Sequence, residues 1–270
     1  MILSPKKIKQ LCKQFKIRPK KYLGQNFLID KFALRKIIRC ANLSKEDVVL
    51  EIGAGLGTLT YELAKQAKRV VAIEKDRAFI PILKEILKDY KNIELIEGDF
   101  RKISLDKLGL KKHHYKVVAN LPFSSATFII RKLLEDKICP KEITCLVQKE
   151  VAQKICSKKT NILSLSIQFY GKPKICGFVS KKAFWPKPKV DTAILKIENI
   201  QAFSLGIKPE QFFKIIKLGF SSPRKTLLNN LSKEIPKEKI MQILSELSLS
   251  HKVRPSELSI TDWISLIKKL

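Results

Sequence analysis

At 270 residues and 45% hydrophobic content, the chain is long enough for one large core and a small second one. Its 54 Lys and Arg against 25 acids give a formal net charge of +29. That balance points to a polyanionic partner, nucleic acid before an anionic membrane surface, although a Lys-rich composition bias would explain part of the excess. No apolar run approaches the roughly 18 residues of a membrane span. The six cysteines (12, 40, 139, 145, 156 and 176) show no C-x-x-C spacing, so buried reduced thiols are expected rather than a disulfide or zinc framework. With only His113, His114 and His251 available, no metal site is expected.

The first 29 residues contain no Asp or Glu. Residues 1–22 read as a basic arm facing RNA, with a mitochondrial presequence as the alternative. From residue 48 onward, short apolar runs alternate with helical periods. VVLEIGAG (48–55) reads as a strand entering a glycine loop, and TLTYELAKQA (58–67) as the helix after it. RVVAIEKD (69–76), IELIEGDF (93–100) and YKVVANLPF (115–123) repeat the strand pattern, and FIPILKEILKDY (79–90) is helical in period. EITCLVQKEVAQKI (142–155) supplies a fifth strand and a helix, and the stretches 166–184 and 190–200 read as antiparallel strands closing one edge. Such alternation gives an α/β fold, a doubly wound, mostly parallel sheet with helices on both faces. After about residue 200 the segments 209–220, 223–231, 236–247 and 261–270 are all helical in period between Pro and Ser breaks. The expected division is therefore an α/β domain over 1–200 and a small all-helical domain over 201–270.

In open α/β sheets ligands bind beyond the carboxyl ends of the strands. Here the first turn is Glu51-Ile52-Gly53-Ala54-Gly55-Leu56-Gly57, a G-x-G-x-G loop with an acid two positions before it. A nicotinamide dinucleotide carries a pyrophosphate that seeks helix N-terminal amides. S-Adenosylmethionine has no phosphate and is cationic, which suits a carboxylate-flanked glycine loop better. Glu74 ends the second strand, where an acid can accept ribose hydroxyls, and Asp99 with Phe100 ends the third, where an adenine would lie.

The fourth strand ends in Asn120-Leu121-Pro122-Phe123. The exocyclic amino group of adenine is a poor nucleophile because its lone pair is conjugated with the ring. Two fixed acceptors, the Asn120 side-chain oxygen and the Leu121 carbonyl, could draw its N–H bonds out of plane. Pro122 would fix the backbone direction and Phe123 would stack on the extruded base. Catalysis would then be mostly positioning and electrostatics.

These residues resemble the rRNA adenine dimethyltransferase family. The resemblance runs nearly end to end: Leu23-Gly24-Gln25-Asn26-Phe27-Leu28, Glu51 to Gly57, Glu74, Gly98-Asp99, Asn120 to Phe123, Leu146 to Val151, Phe184 to Thr192 and Phe220 to Leu227. It implies a Rossmann-like class I methyltransferase sheet and N6-dimethylation of two adjacent adenines in the 3′-terminal hairpin of small-subunit rRNA. S-Adenosylmethionine would be the methyl donor and a small-subunit ribosomal precursor the partner, in the cytoplasm, the enzyme acting as a monomer. By the same resemblance Asn26 and Leu28 would line the methionine end of the cofactor with Gly53, Gln25 assisting, and Gly55 would also bind the cofactor. Glu74 would take the ribose, Asp99 the adenine amino group, and Asn120 both cofactor and target base. Phe184 would stack on that base opposite Phe123, and Arg224 and Lys225 would dock RNA. Ala54 stands where the family usually has Pro, Phe123 where Tyr is frequent, and Ser124-Ser125-Ala126 where Asn-Ile-Ser is common. The alternatives are a large-subunit single-adenine methyltransferase, a non-catalytic assembly factor on the same fold and, more distantly, a dehydrogenase.

Overall fold

The computed structural model describes residues 3–17, 19–20, 24–200 and 206–270, so the expectation on Leu23 and part of the basic arm lie outside the described residues. The described residues fall into two compact units, one of 1–152 with 173–200 and one of 153–172 with 201–270. The expected boundary at residue 200 is thus only one of three crossings. Residues 153–172 leave the sheet domain and group with the C-terminal helices, which a chain-order reading does not anticipate.

In the first unit, α1 (Pro5–Gln14) turns Ile8, Leu11 and Cys12 into the core, so this part of the basic arm is a packed amphipathic helix. The two-residue strand β1 (Phe27–Leu28) leads into α2 (Lys31–Ala41), capped by the Asp30 carboxylate, which accepts the Ala33 N–H at 2.7 Å. Next come β2 (Val48–Ile52), α3 (Thr58–Ala64), β3 (Arg69–Glu74), α4 (Ile80–Leu87), β4 (Ile93–Glu97) and β5 (Tyr115–Asn120). They are followed by α5 (Ala126–Glu135) and β6 (Glu142–Gln148), and then by α6 (Lys149–Ile155), within which the first crossing falls. Among the described residues a seven-stranded sheet has the order β4-β3-β2-β5-β6-β9-β7, with β7 (Lys172–Val179) on the edge and β9 (Thr192–Glu198) inserted beside β6. The strands from β4 to β6 are parallel and β9 is antiparallel to β6. β2, β3 and β5 are mostly apolar and buried, as central parallel strands are, with Glu51 in β2 and Lys116 in β5 among the buried charged exceptions. A second, two-stranded pairing joins β1 to β8 (Phe184–Trp185).

The second unit holds α7 (Ile162–Gln168), α8 (Pro209–Gly219), α9 (Leu227–Leu231), α10 (Lys237–Glu246) and α11 (Ile260–Lys269). Asn161 caps α7 in a reciprocal capping box with Ser164, and Phe169 stacks on Phe212 with ring centroids 4.2 Å apart.

The cysteine expectation is corrected. Cys40 on α2 and Cys176 on β7 are joined in a disulfide across 136 residues, with Cα atoms 6.4 Å apart. The amphipathic period of α2 sets Cys40 at the margin of its buried face, and β7 is an edge strand whose outward row includes Cys176. Cys12, Cys139 and Cys145 are buried free thiols, and burial pushes Cys145 up to about 12.

Candidate active site

The carboxyl ends of β2, β3, β4 and β5 open onto a cavity of about 430 Å³. Its lining joins the glycine loop to Gln25, Asn26 and Leu28 from the N-terminal side, Glu74, Asp99 and Phe100 from the next two strand ends, and Asn120 and Pro122 from the fourth. Gly53, Gly55 and Gly57 have φ of 83°, 56° and 75°, the left-handed region where side chains are strained. At Gly55 a Cβ would also sit 3.2 Å from the Phe27 ring, so this turn is closed to other residues on two counts.

Glu74 is buried, and each of its carboxylate oxygens accepts one backbone N–H: Gly55 at 2.7 Å and Asp76 at 2.7 Å. A carboxylate oxygen takes more than one donor, so both retain capacity for ligand hydroxyls. Burial, opposed by these amides, raises its pKa. Gln25 braces the same wall: its amide donates to Asp76 at 2.8 Å and accepts the Lys20 N–H at 2.6 Å. Asp99 is held by Arg101 at 2.6 Å and Lys75 at 3.1 Å, and the guanidinium keeps its carboxyl well below the usual carboxylate range. An adenine amino group would therefore share Asp99 with two cations.

Asn120 is the best-defined polar group of the site. Its Nδ2 donates to the Asn26 carbonyl at 2.9 Å, and only the nitrogen of the amide can do so. The orientation is thereby fixed, and Oδ1 is left as an acceptor on the cavity lining. The Leu121 side chain is buried, which leaves its backbone carbonyl as the group it can offer. Gly24 packs on the Pro122–Phe123 backbone, where a Cβ would lie 3.5 Å from the Phe123 nitrogen. Phe123 is half-buried beside the cavity, whose rim is carried on by Ser124 and Ser125.

Leu121, Phe123 and Phe184 are not on the lining of this cavity, but Phe184 is the register partner of Leu28, which is. Phe184 is 2% exposed, pairs in register with Leu28 and belongs to the main core. Burying an aromatic of this size is favourable by about 2–3 kcal/mol. Arg224 and Lys225 sit exposed in the turn between α8 and α9 of the second unit.

Two residues of the site escaped the sequence reading. Lys132 on α5 donates to the carbonyls of Phe100 (2.8 Å), Arg101 (3.1 Å) and Ile103 (2.6 Å), and its ammonium lies 5.0 Å from the Phe100 ring centroid. It ties down the loop that forms the Asp99–Phe100 wall, and no local pattern around residue 132 announces this. The other is Glu51, read in the sequence only as the acid before the glycine loop. It is 1% exposed, and its Oε2 has no hydrogen-bond partner among the described residues. Burial pushes its carboxyl up to about 8, Thr60 pulls the other way, and the Glu74 charge adds to the rise.

A buried acid with an unpartnered oxygen on the cavity wall suits a cationic ligand, whose charge would favour its ionised form. The same wall opposes a pyrophosphate. The fit is therefore to S-adenosylmethionine rather than to a nicotinamide dinucleotide.

A pH effect follows from Glu51. Unfolded, the group titrates near 4.5, and folded near 8. Between these values the folded chain holds the extra proton, so the stability of the ligand-free protein should fall as pH rises through that window. Thermal midpoints from pH 5 to 8 should decline in the parent chain and decline less in Glu51→Gln. Equal slopes in the two proteins would remove Glu51 as the cause.

Comparison with known proteins bears on this geometry. The sequence pattern of the family described as "Ribosomal RNA adenine dimethylase" matches residues 16–270. The chain belongs to that family. It is 37% identical over 280 residues to the "Ribosomal RNA small subunit methyltransferase A" of Alkaliphilus oremlandii, covering 100% of this chain and 98% of that protein. It is 41% identical over 261 residues to the protein of the same description from Clostridium botulinum (strain Okra / Type B1), covering 94% and 95%. Among solved structures it resembles a dimethyladenosine transferase from Plasmodium falciparum, with TM-score 0.77, 26% identity and coverage of 89% of this chain and 95% of that one. The 23S rRNA methyltransferase ErmE shares the fold at TM-score 0.76 and 24% identity, covering 91% and 99%. Family membership fixes the chemistry as adenine dimethylation. The near-equal fold similarity of ErmE leaves the choice of ribosomal subunit to the sequence relatives.

Proposed function

We propose that this family member dimethylates N6 of two adjacent adenines in the 3′-terminal hairpin of small-subunit (16S-type) rRNA, as a step of small-subunit assembly in the cytoplasm. The observation that carries the reading is Asn120, whose amide is oriented by Asn26 so that Oδ1 remains as acceptor at the cavity. Gln25, Asn26, Leu28, Gly53, Gly55, Glu74, Asp99 and Asn120 would hold S-adenosylmethionine, which supplies an electrophilic methyl on a cationic sulfur. Oδ1 of Asn120 and the Leu121 carbonyl accept the two N–H bonds of the target amino group and free its lone pair. Pro122 directs that carbonyl, and Phe123 stacks on the extruded base. The proton lost from the product ammonium is acidic enough to leave to water, so no strong base is needed.

The small-subunit target is supported by relatives at 37% and 41% identity that carry that description. The exposed Arg224 and Lys225 of the helical unit are proposed to dock the RNA. No helix among the described residues is long and apolar enough to cross a membrane. The test is mass mapping of methylated adenines after incubating small-subunit RNA or its precursor particle with the chain and isotopically labelled methyl donor. Two adjacent dimethyladenines near the 3′ end are expected. Label in large-subunit RNA, or RNA binding without label, would overturn the reading in favour of the large-subunit or the non-catalytic alternative respectively.

A further inference from the structure

The outer face of α2 carries Lys31, Arg35, Lys36 and Arg39, all exposed, and the helix contains no acid. None of these four side chains has an ion-pair or hydrogen-bond partner among the described residues. Some surface cations on other helices are paired, Arg131 with Glu135 and Lys269 with Glu246, whereas α1 also carries exposed lysines on a helix without an acid; α2 differs in that its cations form an i, i+4 row beside a groove and an exposed aromatic ring. The arrangement on α2 works against the helix itself. Lys31, Arg35 and Arg39 repel one another at i, i+4 spacing, and of the three only Arg39, in the last turn, is favoured by the macrodipole. A cost of this kind, uncompensated within the fold, indicates an external anion.

We propose that this face of α2 is a second contact for the substrate RNA, gripping its phosphate backbone outside the methyl-transfer cavity. The inference rests on the rRNA-directed reading above. At about 1.5 Å rise per residue, successive cations of the row Lys31-Arg35-Arg39 stand about 6 Å apart along the axis, close to the repeat of phosphates along one strand. The row borders a groove of about 860 Å³ between α2 and α3, with Leu34 and Ile38 on its floor. Lys65 lines the far side, and the one acid of that lining, Glu62, lies 3.5 Å from it. Beside the row Phe32 is 73% exposed, an aromatic left in water where a base can stack on it.

The location suits RNA that flanks the target. α2 begins three residues after Leu28, which lines the cavity, and is followed by its C-cap Asn42, whose carbonyl accepts Lys116 Nζ at 2.8 Å near the amino end of β5. The row therefore leads from the edge of the site down the flank of the sheet, and its groove shares no lining residue with the cavity.

The test is a full-length Lys31→Gln/Arg35→Gln/Arg39→Gln variant. Its affinity for a labelled small-subunit 3′-terminal hairpin with flanking strand is measured across a salt series, alongside cofactor affinity and thermal midpoint. RNA affinity should fall at least tenfold at low salt, and the slope of log affinity against log salt should flatten by about 2–3. Cofactor affinity should be unchanged and the midpoint no lower. Arg35→Lys/Arg39→Lys should keep most of the binding, and Phe32→Ala should weaken it without changing the slope. Parent-like affinity and slope in the triple variant would overturn the proposal. So would loss of binding to phosphatidylglycerol vesicles with RNA binding intact, because the partner would then be a membrane surface. If the parent chain methylates no small-subunit RNA but still loses general RNA affinity with the triple substitution, the functional reading fails and the α2 contact stands.

Discussion

Asn120→Ala is expected to lower methyl transfer to RNA by about 10²–10³-fold, the range seen when one preorganised transition-state acceptor or donor is removed. Cofactor affinity should fall by much less, because most of the cavity wall is untouched. The reasoning starts from the hydrogen bond of Asn120 Nδ2 to the Asn26 carbonyl, which points Oδ1 without further cost at the moment of reaction. Alanine removes both the acceptor and the tie to the N-terminal segment. Asn120→Asp separates the two: it keeps an oxygen at the cavity but cannot donate to Asn26, so its activity should also collapse. Single-turnover rates with saturating cofactor, set beside cofactor binding by calorimetry, decide the matter. Near-parental turnover in Asn120→Ala would sink the mechanism.

Glu74→Ala should weaken cofactor binding by about 1–3 kcal/mol, roughly five- to 150-fold, through loss of charge-assisted hydrogen bonds. The structure adds a second consequence. Glu74 accepts the N–H groups of Gly55 and Asp76, and alanine leaves both without their acceptor in a buried wall. Leaving such groups unpaired costs about 1–3 kcal/mol each, so the thermal midpoint should drop as well. Glu74→Gln retains one acceptor oxygen and should lie between parent and alanine on both measures. A normal midpoint and normal cofactor affinity in Glu74→Ala would remove this residue from the binding site.

Much of the site is legible along the chain because its signals are local. A parallel strand buried on both faces is a mostly apolar run, and such runs end where the backbone leaves the sheet. Gly53, Gly55, Glu74, Asp99 and Asn120 are therefore marked by position alone, and the structure gathers them at one cavity. α2 has an amphipathic period that buries Ala33, Leu34, Ile37 and Ala41, but a helical period alone does not say what its exposed face meets. Phe184 reads as a stacking residue by resemblance, and its burial beside Leu28 of the cavity lining is a property of two segments far apart in sequence.

By itself the sequence determined the alternation of strand and helix, the ligand end of the sheet, the basic charge and the Asn120–Phe123 segment, all of which follow from short-range periodicity and residue chemistry. Only the tertiary structure decided contacts made across long separations. Asn26 orients Asn120 from 94 residues away, Lys132 fastens the Phe100 loop, Cys40 bridges to Cys176, and residues 153–172 join the helical unit. It also decided the environment of Glu51, whose charge state depends on how completely water is removed around it. No repeat in the chain encodes these, because each depends on which distant group arrives beside which, and on what solvent that approach excludes.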